Sequence, residues 1–524
     1  MLVNRSTRAR TATALMVLVS SGCTWVGRVS VGNSGGEGNL ESNQPAISAD
    51  GRFVAFSSQA SNLVTGDTNA TRDVFVRDAV AGTTVRVSVD STGNQGDGES
   101  SRPAISADGR YVAFQSVASN LVADDTNDAA DVFVHDTVGG TTTRVSVDGL
   151  GAQSDLGGTA PAISADGRYV AFASLANLVA ADTNDASDVF VRDTSEGTTT
   201  RVSVDSTGTE ANGGSLEPVM SADSQYVAFT SLASNLVTGD TNDDYDTFVR
   251  DRFNGVTTRV SVSGTGTQAD KGSFEPAISA DGRYVAFQSS ASNLVPDDTN
   301  GSAVDIFVRD TSADTTTRVS VDNNENESNN ASYYPSISAD GRFVAFMSNA
   351  TNLVNGDLNG VQDAFVRDTV RGFTNRVSAK AFGIEVTDGS TDVAISTDGR
   401  YIAFASFAAN LVGGDNNHVG DVFVRANPEP VTRRFTPDAF ARGTTTSVAV
   451  DGFDFFEGAV LLVDGAGIAL ENVTVVSATE ITADVVVASD APLGPRNVFI
   501  EVPATGPGPA YVAVGFCQGC VTVD

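Results

Sequence analysis

The sequence predicts an all-β chain, and the first reason is a motif that recurs along most of its length. The motif S-A-D-G-R-(Y/F)-V-A-F occurs seven times with small variations, at intervals of 57 to 59 residues, with its aspartate at Asp50, Asp108, Asp166, Asp223, Asp281, Asp340 and Asp398. The motifs D-V-F-V-R-D and R-V-S follow it with the same period. Such a regular period is typical of repeat architectures. The chain should therefore contain seven similar units.

The second reason is that each unit has the pattern of four short strands. In the second unit the predicted strands cover 103–106, 110–115, 131–135 and 142–147, which are rich in β-branched and aromatic residues and are separated by Gly, Asp, Asn and Thr clusters. Asp108-Gly109 is a typical two-residue hairpin turn. Residues 111–114 are apolar at consecutive positions, which indicates that both faces of the sheet are covered. Radial packing of seven such sheets predicts a seven-bladed β-propeller.

The third reason concerns the two ends of the repeat region. An R-V-S motif at Arg28 precedes the first complete unit, whereas the last unit ends at Arg425 without one. We expect residues 25–31 to form the outer strand of the seventh sheet. This N-terminal outer strand would close the propeller and leave no open sheet edge.

The repeat resembles a known family. Residues 45–56 and 73–78 match the repeat of the TolB-like, WD-repeat-like β-propeller family, and most other copies match over roughly residues 28–430. The resemblance implies the propeller fold. The Tol translocation protein itself is expected to have six blades, so the resemblance implies a Tol–Pal role in envelope assembly only weakly.

A different all-β segment follows Pro430. Strand-like segments at 444–453, 460–465, 473–482 and 494–500 alternate with Gly and Pro turns. Residues 431–524 resemble an immunoglobulin-like domain of the IPT/TIG type, through G-x-x-F at Gly452 and V-x-x-V-S-x-T-x-I-T at Val473. The resemblance implies a β-sandwich that spaces, docks or binds.

The N-terminus has the pattern of a secretory signal over residues 1–22. Three arginines precede an apolar run at 12–19, which is too short to span a bilayer. Cys23 follows Ser20-Ser21-Gly22 as in a lipobox, so lipidation of Cys23 and simple cleavage are both open. We expect an exported protein of the cell envelope, lipoprotein or periplasmic, or an extracellular protein, with the propeller over residues 23–430.

Charge excludes two classes of partner. The formal net charge is −33, and removal of residues 1–22, which hold three arginines and no acidic residue, makes it −36. Nucleic acid and anionic membranes are therefore excluded as partners, and a membrane would be reached only through an N-terminal lipid. Most cations are arginines at the repeated D-G-R, V-R-D and R-V-S positions. We expect them to pair strands and blades through bidentate bonds.

The long loops of the propeller carry a repeated D-T-N-x-x-x-D pattern. One interpretation is a set of Ca²⁺ sites, because Ca²⁺ prefers several carboxylate and amide oxygens. The other is that the first Asp forms an Asx-turn and the last Asp begins the third strand. The residues are Asp67, Asn69 and Asp73; Asp125, Asn127 and Asp131; Asp182, Asn184 and Asp188; Asp240, Asn242 and Asp246; Asp298, Asn300 and Asp305; Asp357, Asn359 and Asp363; and Asp415, Asn417 and Asp421.

Signals for catalysis are few. The chain has two histidines, so the usual general base is scarce. His135 occupies the position of an arginine in the other repeats, which favours a structural role. Cys517 and Cys520 form a disulfide or remain free thiols. Candidate ligand-contacting residues on the loop face are Phe274, Glu275, Tyr333, Tyr334, Phe382 and His418, although packing between blades would also account for the aromatic ones.

These observations favour an exported, non-enzymatic binding or scaffold protein that presents an acidic propeller loop face to a protein or glycan. The only cofactor they suggest is Ca²⁺. The alternatives are a propeller lyase or hydrolase acting on polysaccharide or peptide, and a Tol–Pal-like role. A single site with convergent carboxylates of shifted pKa would favour the enzyme over the binding protein.

Overall fold

The structure is a computed structural model that describes residues 26–354, 356–380, 385–427, 431–453, 460–463, 465–477, 480–501 and 515–524. The described residues form two compact units, one within Trp25–Pro428 and the other within Glu429–Pro503 and Val512–Asp524. The predicted signal over 1–22, the predicted lipidation site Cys23 and the candidate Phe382 lie outside the described residues. Within these ranges no helix has the length and hydropathy needed to cross a bilayer.

The first unit contains seven four-stranded antiparallel sheets among the described residues. Sheets 1 to 6 each consist of four consecutive strands, from β2–β5 to β22–β25, and sheet 7 has the order β1-β28-β27-β26. The strands are β1 (Val26–Arg28), β2 (Ser42–Ile47), β3 (Phe53–Ser58), β4 (Asp73–Asp78), β5 (Thr83–Arg86), β6 (Ser100–Ile105), β7 (Tyr111–Ser116), β8 (Asp131–Asp136), β9 (Thr141–Arg144), β10 (Thr159–Ile163), β11 (Tyr169–Ser174), β12 (Asp188–Asp193), β13 (Thr198–Arg201), β14 (Ser215–Met220), β15 (Tyr226–Ser231), β16 (Asp246–Asp251), β17 (Val256–Arg259), β18 (Ser273–Ile278), β19 (Tyr284–Ser289), β20 (Asp305–Asp310), β21 (Thr315–Arg318), β22 (Ser332–Ile337), β23 (Phe343–Ser348), β24 (Asp363–Asp368), β25 (Phe373–Arg376), β26 (Ser390–Ile395), β27 (Tyr401–Ser406) and β28 (Asp421–Ala426).

Backbone hydrogen bonds connect each sheet to the next and return to the start. The N–H of Ala49 donates to the carbonyl of Ala107 at 3.0 Å, and the same bond recurs from sheet to sheet. The last one runs from the N–H of Asp398 to the carbonyl of Ala49 at 3.2 Å. The sheets therefore follow one another around a common axis, and the predicted all-β, β-propeller fold is confirmed.

The N-terminal strand completes sheet 7. Strand β1 pairs antiparallel with β28, with Val26 opposite Arg425 and Arg28 opposite Phe423. The hydroxyl of Ser30 also donates to Oδ1 of Asp421 at 2.5 Å. The two ends of the repeat region thus share one sheet, as the unpaired R-V-S motif at Arg28 predicts.

Paired phenylalanines form the core of each sheet. Phe56 of β3 and Phe75 of β4 are fully buried and stack with ring centroids 5.8 Å apart. Equivalent pairs in the other six sheets lie at 5.7 to 5.9 Å. Their flanking Val and Ala residues pack on the neighbouring sheet, so both faces of the middle strands are buried, as the consecutive apolar positions predict.

The repeated Asp-Gly turns pack against the preceding sheet. Gly109 has a φ of +75°, and a Cβ atom there would lie 2.2 Å from the ring of Phe53. A residue with a side chain would be strained and would also collide with that ring. The glycine therefore serves both the turn and the contact between sheets.

The repeated arginines pair strands and sheets as expected. Arg110 makes a bidentate pair with Asp136 at 2.9 and 2.7 Å, and Arg192 donates to the carbonyl of Asp148 in the preceding sheet at 2.9 Å. In sheet 2, His135 occupies the position that Arg192 has in sheet 3. Its Nδ1 lies 2.9 Å from the hydroxyl of Thr142. Burial lowers the pKa of His135, which fits a neutral structural residue.

The second unit contains two four-stranded sheets among its described residues, with the orders β29-β31-β34-β33 and β30-β36-β35-β32. Both sheets contribute to one apolar core, which includes Val450, Val485 and Val498. Cys517 and Cys520 lie in β36, and their redox state stays a prediction. The strands are β29 (Val431–Thr436), β30 (Ala439–Phe440), β31 (Thr445–Phe453), β32 (Val460–Val463), β33 (Ile468–Ser477), β34 (Glu480–Val487), β35 (Gly494–Glu501) and β36 (Gly515–Val523).

Candidate functional site

The Asp/Asn loops place each aspartate pair around an arginine. Asp73 begins β4 and is fully buried, with Oδ1 accepting from the hydroxyl of Ser88 at 2.6 Å. Nη1 of Arg86, from the R-V-S motif, lies 3.2 Å from Asp73 and 3.4 Å from Asp67. The arginine was not part of the sequence prediction for these loops. The guanidinium of Arg86 supplies a positive charge between the two aspartates, where the Ca²⁺ interpretation of these loops places the ion.

The asparagine of each loop has a mainly local role. In the first loop the carbonyl of Asn69 accepts from the N–H of Thr71 at 3.2 Å, which is an Asx-turn. Its amide donates to Asp73 at 3.3 Å and to the carbonyl of Gly96 at 2.9 Å. The amide nitrogen, rather than the oxygen, therefore faces the aspartate.

Similar groups occur in all seven sheets, and we call them Arg-centred clusters. In each of them guanidinium nitrogens lie 3.2 to 3.7 Å from both aspartates. The clusters are Asp67, Asp73 and Arg86; Asp125, Asp131 and Arg144; Asp182, Asp188 and Arg201; Asp240, Asp246 and Arg259; Asp298, Asp305 and Arg318; Asp357, Asp363 and Arg376; and Asp415, Asp421 and Arg28.

A fourth side chain divides the clusters into two types. In the glutamine type, Gln95, Gln153 or Gln268 donates its amide to the aspartates, as Gln95 does to Asp67 at 2.9 Å. In the glutamate type, the same position holds Glu37, Glu210, Glu327 or Glu385, each paired with the arginine. Full ionisation gives the glutamine type a net charge of −1 and the glutamate type −2.

The surplus charge affects the aspartates of the glutamate type. Burial and the charge of the neighbouring Asp188 raise the pKa of Asp182 to about 6. Burial acts to raise the pKa of Glu210 as well, but hydrogen bonds from Thr183 lower it overall. Asp182 therefore takes up a proton more readily than Glu210. Three of these clusters bring three carboxylate oxygens within 4.8 Å of one another, and calcium binding there stays a prediction.

A second candidate site lies at the axis of the propeller. The first strands of the sheets, β2, β6, β10, β14, β18, β22 and β26, contact one another in sequence, and β26 contacts β2. One equivalent residue from each strand, the third in six strands and the second in β10, belongs to what we call the central ring: Gln44, Arg102, Ala160, Glu217, Glu275, Tyr334 and Asp392.

The central ring is irregular in sequence but regular in backbone. The strands repeat the pattern S-x-x-P-A-I with few changes, whereas the third residue is different in nearly every copy. Six of the seven ring residues have φ between 48° and 53°, at an irregularity in the pairing with the second strand. For residues other than glycine this left-handed conformation costs on the order of 1 kcal/mol each. Such strain is often found at functional sites.

Two carboxyl groups of the ring interact directly. The N–H of Glu275 donates to Oε2 of Glu217 at 3.0 Å, and the hydroxyl of Thr230 donates to the same oxygen at 3.1 Å. Burial and the negative charge of Glu217 raise the pKa of Glu275 to about 7, while Arg102 opposes this shift from across the ring. Near neutral pH the carboxyl group of Glu275 can therefore take up or release a proton.

Of the remaining ring positions, all but Ala160 carry side chains that can form hydrogen bonds. Burial and the charges of Glu275, Asp392 and Glu217 raise the pKa of Tyr334, so its hydroxyl stays protonated. On the other side, Oε1 of Gln44 accepts from the N–H of Arg102 at 3.0 Å. The ring therefore combines an acidic side with a basic position on the opposite side.

The structure separates the ligand-contacting residues predicted from the sequence. Glu275 and Tyr334 belong to the central ring, whereas Phe274 and Tyr333 are the preceding residues of the same strands. Phe274 packs on Tyr245 with ring centroids 5.3 Å apart, as the packing alternative predicts. His418 is exposed in a long loop. Sequence reasoning missed Gln44, Arg102, Glu217 and Asp392, although alignment of the seven repeats would have shown them as the variable position.

The chain was compared with known proteins. No family model matches it, and no curated protein matches it. Among solved structures, it is similar to a protein assigned as TolB from Agrobacterium tumefaciens (15% identity, 66% of this chain and 95% of that chain, TM-score 0.37). It is also similar to the periplasmic gluconolactonase of Pseudomonas aeruginosa (17% identity, 65% and 85%, TM-score 0.34) and to the WD40 repeats of RRP9 (7% identity, 77% and 99%, TM-score 0.39). At these scores the comparisons transfer no function, and the β-propeller assignment rests on the sheets of the chain itself.

Proposed function

We propose that the chain is an exported, non-enzymatic binding protein of the cell envelope, whose ligand is held at the central ring of the propeller. The observation that carries this is the contrast between the ring and the rest of the repeat. Positions that build the sheets are nearly identical from copy to copy, whereas the ring position changes from glutamine to arginine, glutamate, tyrosine and aspartate. Symmetric packing does not require this variety, but recognition of an asymmetric ligand does.

The architecture that we propose for this function has seven blades and a C-terminal IPT/TIG-like module. Support for seven blades comes from the seven sheets and from the circuit of hydrogen bonds that returns to Ala49. Support for the module comes from two sheets around one core over 431–524. Export rests on the signal pattern of residues 1–22 and on Cys23.

The chemistry of the ring favours a polar ligand with several hydrogen-bonding groups, as in a glycan or a peptide. Glu217, Glu275 and Asp392 provide acceptors, and Arg102 provides donors. Tyr334 offers an aromatic side chain, and this residue is 48% exposed. Recognition of sugars and peptides commonly combines such groups. These groups favour a ligand at the axis over one on the acidic loops.

Binding can be tested by screening the purified protein against glycan and peptide arrays with Arg102→Ala and Glu275→Gln variants. Both variants should weaken binding at least about tenfold, which corresponds to the loss of roughly one charged hydrogen bond. Asp128→Asn is the matched control, because Asp128 is an exposed loop residue outside the ring whose φ of 53° suits asparagine. Equal binding by all variants would refute the ring as the ligand site.

A second candidate function is acid–base catalysis on a polysaccharide or peptide, and the Glu217 and Glu275 pair favours it. A carboxyl group with a pKa of about 7 beside a second carboxyl group can give a proton while its neighbour accepts one. Incubation of bound ligands with the protein, followed by mass spectrometry, tests for cleavage. If the unmodified protein cleaves the ligand and Glu275→Gln abolishes cleavage but not binding, the chain is an enzyme. If the ligand stays intact, the chain is a binding protein.

A further inference from the structure

One Arg-centred cluster joins the two ends of the propeller. It consists of Arg28, Glu37, Asp415 and Asp421, and we call it the seam cluster. Arg28 ends β1, and Glu37 is held in the following loop by a β-bridge to Val31. Asp421 begins β28 at the other end of the unit, and Asp415 precedes it in the long loop. The other six clusters draw all their members from one continuous stretch of the chain.

Only part of the seam cluster is hydrogen-bonded. Nη1 of Arg28 lies 2.5 Å from Oε2 of Glu37, which also accepts from the N–H of Asn416 at 3.1 Å. The other two nitrogens of Arg28 lie 3.5 Å from Asp415 and 3.4 Å from Asp421, beyond good hydrogen-bonding distance. The arginine is therefore bound mainly to Glu37.

The two aspartates are left with buried oxygens that accept no hydrogen bond. These are Oδ1 of Asp415 and Oδ2 of Asp421, in side chains that are 1% and 0% exposed. Buried carboxylate oxygens nearly always have a partner. In the other six clusters the loop asparagine donates to the equivalent of Oδ2, whereas Asn417 donates to the carbonyl of Gly38. Among the described clusters, the seam is the one in which both aspartates carry such an oxygen, since in two others only the first aspartate, Asp298 or Asp357, does.

We propose that Glu37, Asp415 and Asp421 bind one divalent cation of the class that prefers oxygen ligands, such as Ca²⁺. Their carboxylate oxygens lie within 4.8 Å of one another, close enough to share an ion with ligand distances of about 2.4 Å. A doubly charged ion balances three carboxylates and one guanidinium, which together carry −2. It also satisfies the two orphaned oxygens. Since the ligands come from both ends of the unit, the ion would fasten β1 to β28.

Calorimetric titration of the full chain with CaCl₂, after chelator treatment, tests the proposal. We expect about one strong site per chain. At calcium 100-fold above the dissociation constant, the melting temperature should rise by roughly 3 °C relative to NaCl of equal ionic strength. Hydrogen exchange should slow at the amides of residues 26–28. Screening of surface charges by salt would not produce this local response.

Two variants locate the site. Glu37→Gln introduces the side chain that three other clusters already have at this position, so the fold should persist while the calcium heat and the added protection of β1 are lost. Asp415→Asn should lose them as well. Glu210→Gln, the equivalent change in sheet 3, is the control and should keep them, because both oxygens of Asp188 accept hydrogen bonds there. No calcium heat in the unmodified chain, heat that survives in both seam variants, or equal loss in Glu210→Gln would overturn the assignment.

Discussion

The backbone N–H of Glu275 donates a 3.0 Å hydrogen bond to the carboxylate of Glu217 in the neighbouring sheet. This contact brings together two carboxyl groups that are 58 residues apart in the chain. Burial of Glu275, together with the negative charge of Glu217, raises the pKa of Glu275 to about 7. The first prediction concerns this pair.

Glu217→Gln should lower the pKa of Glu275 by about 1 unit or more, because the negative neighbour is removed. Because the pKa of Glu275 is raised in the folded state, protonation of Glu275 stabilises the folded chain at low pH, and this stabilisation is lost as pH rises through 7. The variant should therefore lose less stability than the unmodified chain between pH 6 and pH 8. Carbon-13 NMR of labelled glutamate, assigned with Glu275→Gln, measures the pKa. An unchanged titration would show that burial alone causes the shift.

The glutamate-type clusters should make the stability of the chain depend on pH near 6. The folded-state pKa of Asp182 is raised to about 6, so its contribution to stability is lost as pH rises through that value. Glu210→Gln removes the surplus charge and should flatten this loss by on the order of 1 kcal/mol between pH 5 and pH 7.5. The reverse change, Gln153→Glu in sheet 2, should steepen it. Urea unfolding at pH 5 and pH 7.5 measures the free energy of unfolding of each variant. If the two variants changed its pH dependence in the same direction, the prediction would be wrong.

The turn glycines of the propeller should tolerate a methyl group only where space exists. Gly109→Ala should destabilise the chain by about 3 kcal/mol or more, because its Cβ would lie 2.2 Å from the ring of Phe53. Gly140→Ala is the control: its φ is +66°, but no atom lies within 4 Å of the added carbon, so only about 1 kcal/mol of backbone strain is expected. Thermal unfolding measures both. Equal losses would mean that the contact with the neighbouring sheet is unimportant.

Removal of the closing strand should destabilise the propeller. A chain that starts at residue 32 lacks β1, its ladder with β28 and the bond from Ser30 to Asp421. Compared with a chain that starts at residue 26, we expect a loss of several kcal/mol and faster hydrogen exchange in β28. Calorimetry and hydrogen exchange by mass spectrometry provide the readouts. Identical melting of the two chains would show that sheet 7 is stable without its fourth strand.

The predicted lipid anchor is tested through Cys23. If the lipobox is used, expression with a labelled fatty acid should mark the unmodified protein, and Cys23→Ser should abolish the label and release the protein from membranes. If the unmodified protein is soluble and carries no label, the lipid anchor is ruled out. Export would then depend on a cleaved secretory signal.

The sequence by itself determined the fold of the repeat region. The period of 57 to 59 residues, the consecutive apolar positions and the Asp-Gly turns are local patterns, so each predicts a strand or a turn without knowledge of distant contacts. The closing role of Arg28 followed from counting one motif. The Asx-turn expected at the first aspartate of these loops is instead made by Asn69 in the first loop.

The tertiary structure decided which side chains meet. Arg86 lies 19 residues after Asp67 in the chain, and the two come together only because β4 and β5 pair in one register while the loop folds back over them. Arg102, Glu217 and Glu275 lie on three different sheets, and they face one another only because the sheets close around an axis. Electrostatic coupling between such residues depends on distance and burial. Neither the distance between these residues nor their burial can be predicted from the local sequence pattern.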